Sequence, residues 1–183
     1  MTKLKKVNTE KDNSASEFTW ESLFAAFATI QKLLDNPAAR NNVKFSYGLA
    51  RNYKTLLEEL KIYESADPEV AKALPFCDQL GKIYIKHGTI SERGFVSTDA
   101  NGEILYKSEA DGESAKKLIK ELEVAKGMSV IDAGAIHKKY LEHRAVDFVP
   151  SCIVNNLVKI KAADVPTGVM PSQILSLLDL IIE

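Results

Sequence analysis

The chain has 183 residues, of which 45% are hydrophobic and 27% charged, a composition that excludes a disordered or fibrous chain and a length that fits about one domain. Lys plus Arg number 24 against 25 Asp plus Glu, and the formal net charge of -1 excludes the global positive field that drives non-specific binding to nucleic acid or anionic membrane.

Residues 1–16 are polar and lysine-rich, with no apolar periodicity, and read as a flexible N-terminal arm; residues 17–183 read as a single domain. Phe18, Trp20, Leu23, Phe24, Phe27, Ile30, Leu33 and Leu34 recur at helical spacing until Asn36-Pro37 stops them. A second helix is predicted over Val43 to Glu64, with Phe45, Leu49, Tyr53, Leu56, Leu60 and Tyr63 on one side. Together these two helices are expected to form an antiparallel pair. Asp67-Pro68-Glu69 starts a third, in which Pro75 and Gly81 predict a kink or a split.

Beyond His87-Gly88 the period changes, and residues 93–107 read as a β-hairpin around the Asn101-Gly102 turn. Glu113 to Lys126 and Ala133 to Arg144 are helical in pattern, while propensity leaves open whether residues 127–132 form a loop or continue one longer helix. Cys152 to Ile160 is rich in β-branched residues and reads as an extra strand, weakened by Asn155-Asn156. Pro171 then opens a closing helix whose apolar face carries Ile174, Leu175, Leu177 and Leu178, with Ile181-Ile182 at its end. The expected fold class is thus mainly α (α+β): a helical domain with a small β-hairpin.

Cys77 and Cys152 lack CxxC spacing and read as small buried hydrophobes of a reducing compartment. The lysine-rich start has no apolar core of signal-peptide length, and Ile174 to Ile182 falls short of the roughly 20 residues that span a bilayer, so no membrane association is expected.

The run Val43-Lys44-Phe45-Ser46-Tyr47-Gly48-Leu49-Ala50-Arg51-Asn52, continuing to Leu56-Leu57-Glu58, resembles the signature segment of a family of small tailed-bacteriophage proteins catalogued only as a domain of unknown function. The order of elements is similar too, with Leu157-Val158-Lys159-Ile160 and Met170 to Ile182 in the last two places. The chain departs from that pattern in extra length at its N-terminal arm and between Glu69 and His143. The resemblance implies a viral origin, and with it the cytoplasm of an infected bacterium or the virion, but no reaction.

Among candidate sites, Lys44, Tyr47, Arg51 and Lys54 lie within about 80° of one another on the second helix, opposite its apolar face. Three cations beside a phenol suit a small anionic ligand, while a solvated face balanced by Glu58 is the plainer reading. Asn52, beside Gly48 in projection, is expected to bond a neighbouring backbone across a close contact. Trp20, Phe24 and Phe27 with Leu177, Leu178 and Ile181 are candidates for association with another chain, the alternative being that they pack in the chain's own core. The aromatic cluster has no interleaved basic residues, so nucleic acid is not an expected partner.

His137 and His143 fall on different sides of a helix, no nucleophile elbow or phosphate loop is present, and no catalytic residue, metal site or cofactor is expected. His137, Tyr140 and Arg144 share a side and read as an exposed polar stripe. Three functions follow in order: a non-catalytic phage accessory protein that associates with itself as a homo-oligomer or with another phage protein; a small-ligand binding protein sequestering a nucleotide-like host signal; and an enzyme with an unrecognised site.

Overall fold

The computed structural model describes residues 17–183, so the arm expected over residues 1–16 lies outside the described chain. These residues are mainly helical: α1 (Trp20–Leu34), α2 (Pro37–Arg40), α3 (Val43–Ser65), α4 (Pro68–His87), α5 (Glu109–Lys126), α6 (Val130–Val146) and α7 (Ser151–Asn155). They divide into two compact units, residues 17–59 with 145–183, and residues 60–144.

In the first unit, Thr19 caps α1 by accepting the Ser22 N–H at 3.4 Å, and the helix buries Leu23, Ala26, Ile30 and Leu33, spaced by three and four residues. Asn42 opens α3 by accepting the Phe45 N–H at 3.1 Å, and Phe45, Leu49 and Leu56 are buried along the predicted face. The Phe27 ring stacks on Tyr53 with centroids 4.9 Å apart. Gly48 is required here, because a Cβ would stand 2.7 Å from the Ile160 side chain.

Two expected elements of this unit differ. Cys152 to Ile160 is not a strand: Pro150 precedes the short helix α7, and extended backbone is confined to its far end, where Ile160 bridges Ile182 in parallel. β-branched composition favours a strand only where a neighbouring chain offers a ladder, and the partner available reaches only residues 158–162. The closing apolar helix is absent as well. Pro171–Gln173 and Leu175–Leu177 form 3-10 turns, after which Asp179 takes a φ of 62° and the chain turns back on itself. The Ile160 N–H donates to Ile181 O at 2.7 Å, the Glu183 N–H to Ile160 O at 2.9 Å, and the Ala162 N–H to Glu183 O at 2.7 Å. Those bonds engage the last backbone groups sideways, and they bury Leu177, Leu180, Ile181 and Ile182 together, a set that one helix face cannot present.

In the second unit, Asp67 caps α4 through the Glu69 and Val70 N–H groups, Pro68 occupies the first helical position, and the helix runs unbroken past Pro75 and Gly81. Phe76, Leu122 and Ala133 form a small core with Cys77, Leu80, Ile83, Met128 and Val130 packed against it. Gly127, at φ 60°, ends α5 in the left-handed region, so residues 127–129 are a true interruption and α6 starts afresh at Val130.

The hairpin near 93–107 is present as isolated antiparallel bridges, Thr98 to Ile104 among them, rather than as regular strands. Its turn is a three-residue loop with Gly102 at φ 83°, and Asp99 accepts the Asn101 and Glu103 N–H groups at 2.8 and 2.9 Å. A similar turn at residues 91–95, with Gly94 at φ 80°, adds a third segment. The three segments close a ring: the Thr89 N–H donates to Leu105 O at 2.7 Å, Leu105 to Ser97 O at 3.0 Å, and Ser97 to Thr89 O at 2.8 Å.

Candidate functional site

Lys44, Tyr47, Arg51 and Lys54 share the exposed side of α3, where the core-facing spacing of Phe45, Leu49 and Leu56 puts them. Arg51 donates to the Tyr47 hydroxyl at 3.3 Å, and Lys44 stands 3.9 Å from the Asp164 carboxylate. A convex helix face gives a phosphate or carboxylate no walls, so these groups offer charge without enclosure.

Asn52 on the same helix is fully buried. Its Nδ2 donates to Val158 O at 2.8 Å and its Oδ1 accepts the Val158 N–H at 2.7 Å, so the side-chain amide pairs with the extended segment as a neighbouring strand would. The close approach expected at Gly48 and Asn52 is therefore made to residues 158–160, and Asn52 is structural.

Of the residues expected to meet a partner, Leu177 and Ile181 are completely buried inside their own unit, and Leu178 is exposed. Trp20 is buried at the start of α1, while Phe24 and Phe27 are half-buried, with Phe27 against Tyr53. The buried members of this set hold the first unit together and have little surface to offer a second chain.

The second unit contains two polar centres that spacing alone did not reveal. His87, at the end of α4, is buried, and its Nδ1 meets the Asp111 carboxylate at 2.9 Å. Asp111 also accepts from the Ser108 hydroxyl at 2.7 Å, within the cap that starts α5. The Ser108 bond first, and then His87, hold the Asp111 carboxyl below its usual pKa. An ionised carboxylate assigns the proton to Nδ1, and Nε2 is then buried without a partner among the described residues. The His87–Asp111 spacing of 24 residues bridges two helix ends, a relation no local motif encodes.

Tyr140 is the second centre, and it corrects the expected exposed stripe. Its ring is buried 6.0 Å from that of Tyr63, its hydroxyl donates to Glu64 Oε1 at 3.3 Å, and Arg144 lies 5.5 Å from the ring centroid. Burial pushes its pKa up to about 12, against a smaller downward pull from Arg144. The helix face is polar in sequence because the ring fills the interior while the charged neighbours sit at its rim.

Cys152 is exposed rather than buried, and Cys77 is half-buried with its thiol pKa raised by burial. Among the described residues, no group of three or more His, Cys, Asp or Glu is placed to hold a metal ion, and no helix is long and apolar enough to cross a membrane. No family model, curated protein or solved structure matches the chain.

Proposed function

We propose that this is a non-catalytic bacteriophage accessory protein that works by associating with copies of itself or with another phage protein, in the infected host cytoplasm or in the virion. One observation carries the reading: Val124 in the last turn of α5 is 78% exposed, and Ile131 in the first turn of α6 is 82% exposed. They flank the Gly127 turn while Met128 and Val130 between them pack inward, so this turn is anchored and holds two large apolar side chains in water. Exposed apolar surface of that kind is stabilised by burial against a partner, at roughly 25 cal/mol per Å² removed from water. The resemblance of Val43 to Glu58 to a phage signature supplies the viral setting.

The charges on α3 favour a second reading, a binding protein that sequesters a small anion such as a nucleotide-like host signal. Arg51 hydrogen-bonds a phenol, and neither it nor Lys54 has a carboxylate within ion-pair distance among the described residues.

Native mass spectrometry of protein taken from its producing cells tests both. The association reading expects a homo-oligomer, or a complex with a phage protein, that V124S/I131S dissociates with stability unchanged within about 0.5 kcal/mol. A monomer whose sole companion is a small-molecule adduct lost in R51E overturns association in favour of sequestration.

A further inference from the structure

The first unit contains a polar cavity of about 260 Å³ between the end of α1 and the 3-10 turn at Pro171–Gln173. Thr29, Lys32, Leu33, Asn36, Ser172 and Gln173 line it. The hydrogen bonds already made by these residues decide what the cavity has left to offer.

Asn36 Oδ1 is taken by the Ala38 N–H at 2.9 Å, and Gln173 Oε1 is taken by the Met170 N–H at 2.8 Å. Each bond fixes the orientation of its amide, because only the oxygen can accept from a backbone N–H. What each side chain retains is its NH2 group, and neither NH2 has a partner among the described residues. Lys32 is a donor with no acceptor capacity, and it too makes no ion pair among them. Thr29 is engaged with Ser176 at 2.6 Å and serves as wall. No carboxylate stands among the described residues that line the space.

We propose that this cavity binds a phosphate group, with Lys32, the Asn36 NH2 and the Gln173 NH2 each turned to a phosphate oxygen and the Ser172 hydroxyl at the rim. Three donor groups from separate points of the wall suit the three terminal oxygens of a phosphomonoester better than the two of a carboxylate. The volume leaves room for the first atoms of whatever carries the phosphate. The site is distinct from the basic side of α3 and does not depend on the association surface.

The same bonding supplies the test. Asn36→Asp and Gln173→Glu keep the oxygen that the backbone uses, so the α2 cap and the 3-10 turn persist, while each replaces donors by a negatively charged acceptor; Asp caps a helix as well as Asn. Inorganic phosphate and a nucleoside monophosphate are titrated separately into the full-length protein, followed by amide NMR shifts and calorimetry. Expected are shifts confined to residues 29–36 and 170–176, loss of binding in N36D and in Q173E with an unchanged melting temperature, and about tenfold weaker binding in K32Q. Binding of both titrants identifies the phosphate as what is recognised, and binding of the nucleoside monophosphate alone adds its carrier to the recognition. Shifts that map to residues 44–54 instead, equal affinity in N36D and Q173E, or no shift with either titrant would overturn the site.

Discussion

The two units achieve stability by different means. Residues 17–59 with 145–183 bury Leu23, Ile30, Phe45, Leu49, Leu56, Leu177, Leu180 and Ile181 almost completely, and their one fully buried polar side chain among the described residues, Asn52, has both ends of its amide satisfied. Residues 60–144 bury a smaller set around Phe76, Ala73 and Ala115, rely on a His–Asp pair and a tyrosine hydroxyl inside, and leave Val124, Ile131 and Phe95 in water. The first unit also leaves large apolar side chains in water, Val43, Phe148, Met170 and Leu175 among them, so the two units differ in how their interiors are satisfied rather than in whether apolar surface is left outside. Burial of Leu177 and Ile181 leaves Leu178 as the exposed member of the C-terminal candidates, and the association proposed above rests instead on Val124 and Ile131 at the α5–α6 turn.

The largest test of this contrast is Ile181→Ala. With Ile181 fully buried, the loss of transfer energy plus the cavity left behind is expected to cost about 2–5 kcal/mol in chemical denaturation. A cost within the range of surface substitutions would mean that the C-terminal segment is not part of the first core and is available to a second chain. By the same logic, removing residues 177–182 is expected to unfold the first unit rather than leave a soluble core.

Asn52→Ala comes next. It leaves the part-buried Val158 N–H and C=O without their partner, and two unsatisfied backbone groups are expected to cost about 2–4 kcal/mol together. Hydrogen exchange at Val158 should accelerate with that loss. Unchanged protection there would show that the segment is held by the Ile160 pairing alone.

How much of this was legible follows from the range of the forces involved. Helices α1 and α3, the Asp67-Pro68 start and the Gly102 turn could be read because each is set by residues within one or two turns of one another. Asn52 and Gly48 could be read as a close contact because a small residue and an amide beside an apolar face have few other uses, although their partner, residues 158–160, lay beyond reach. The C-terminal segment was misread because its leucines have helical spacing, while its conformation is dictated by residues 160–162, about twenty positions upstream. The His87–Asp111 pair and the donor-lined cavity depend on the meeting of separate elements. For the cavity a partial signal existed: Asn36 before Pro37 is a recognisable helix cap, and a capping oxygen implies a spare NH2.

The smallest effect in the series is expected at Asp111, where the second unit substitutes polar pairing for apolar mass. Asp111→Ala deprives His87 Nδ1 and the Ser108 hydroxyl of their acceptor and should lower stability near neutral pH by less than either change above. Because the folded state holds the carboxyl below its ordinary pKa of 3.8, its contribution is fully present above that value and is lost as pH falls through the lower folded value. The difference in stability between wild type and D111A, measured by denaturant titration over a pH series, should therefore be constant in the neutral range and shrink only in strong acid. A gap that stays constant through the acid limb would mean that the neutral acid serves His87 and Ser108 as well as the carboxylate does, so that the pairing depends on the hydrogen bonds and not on the charge.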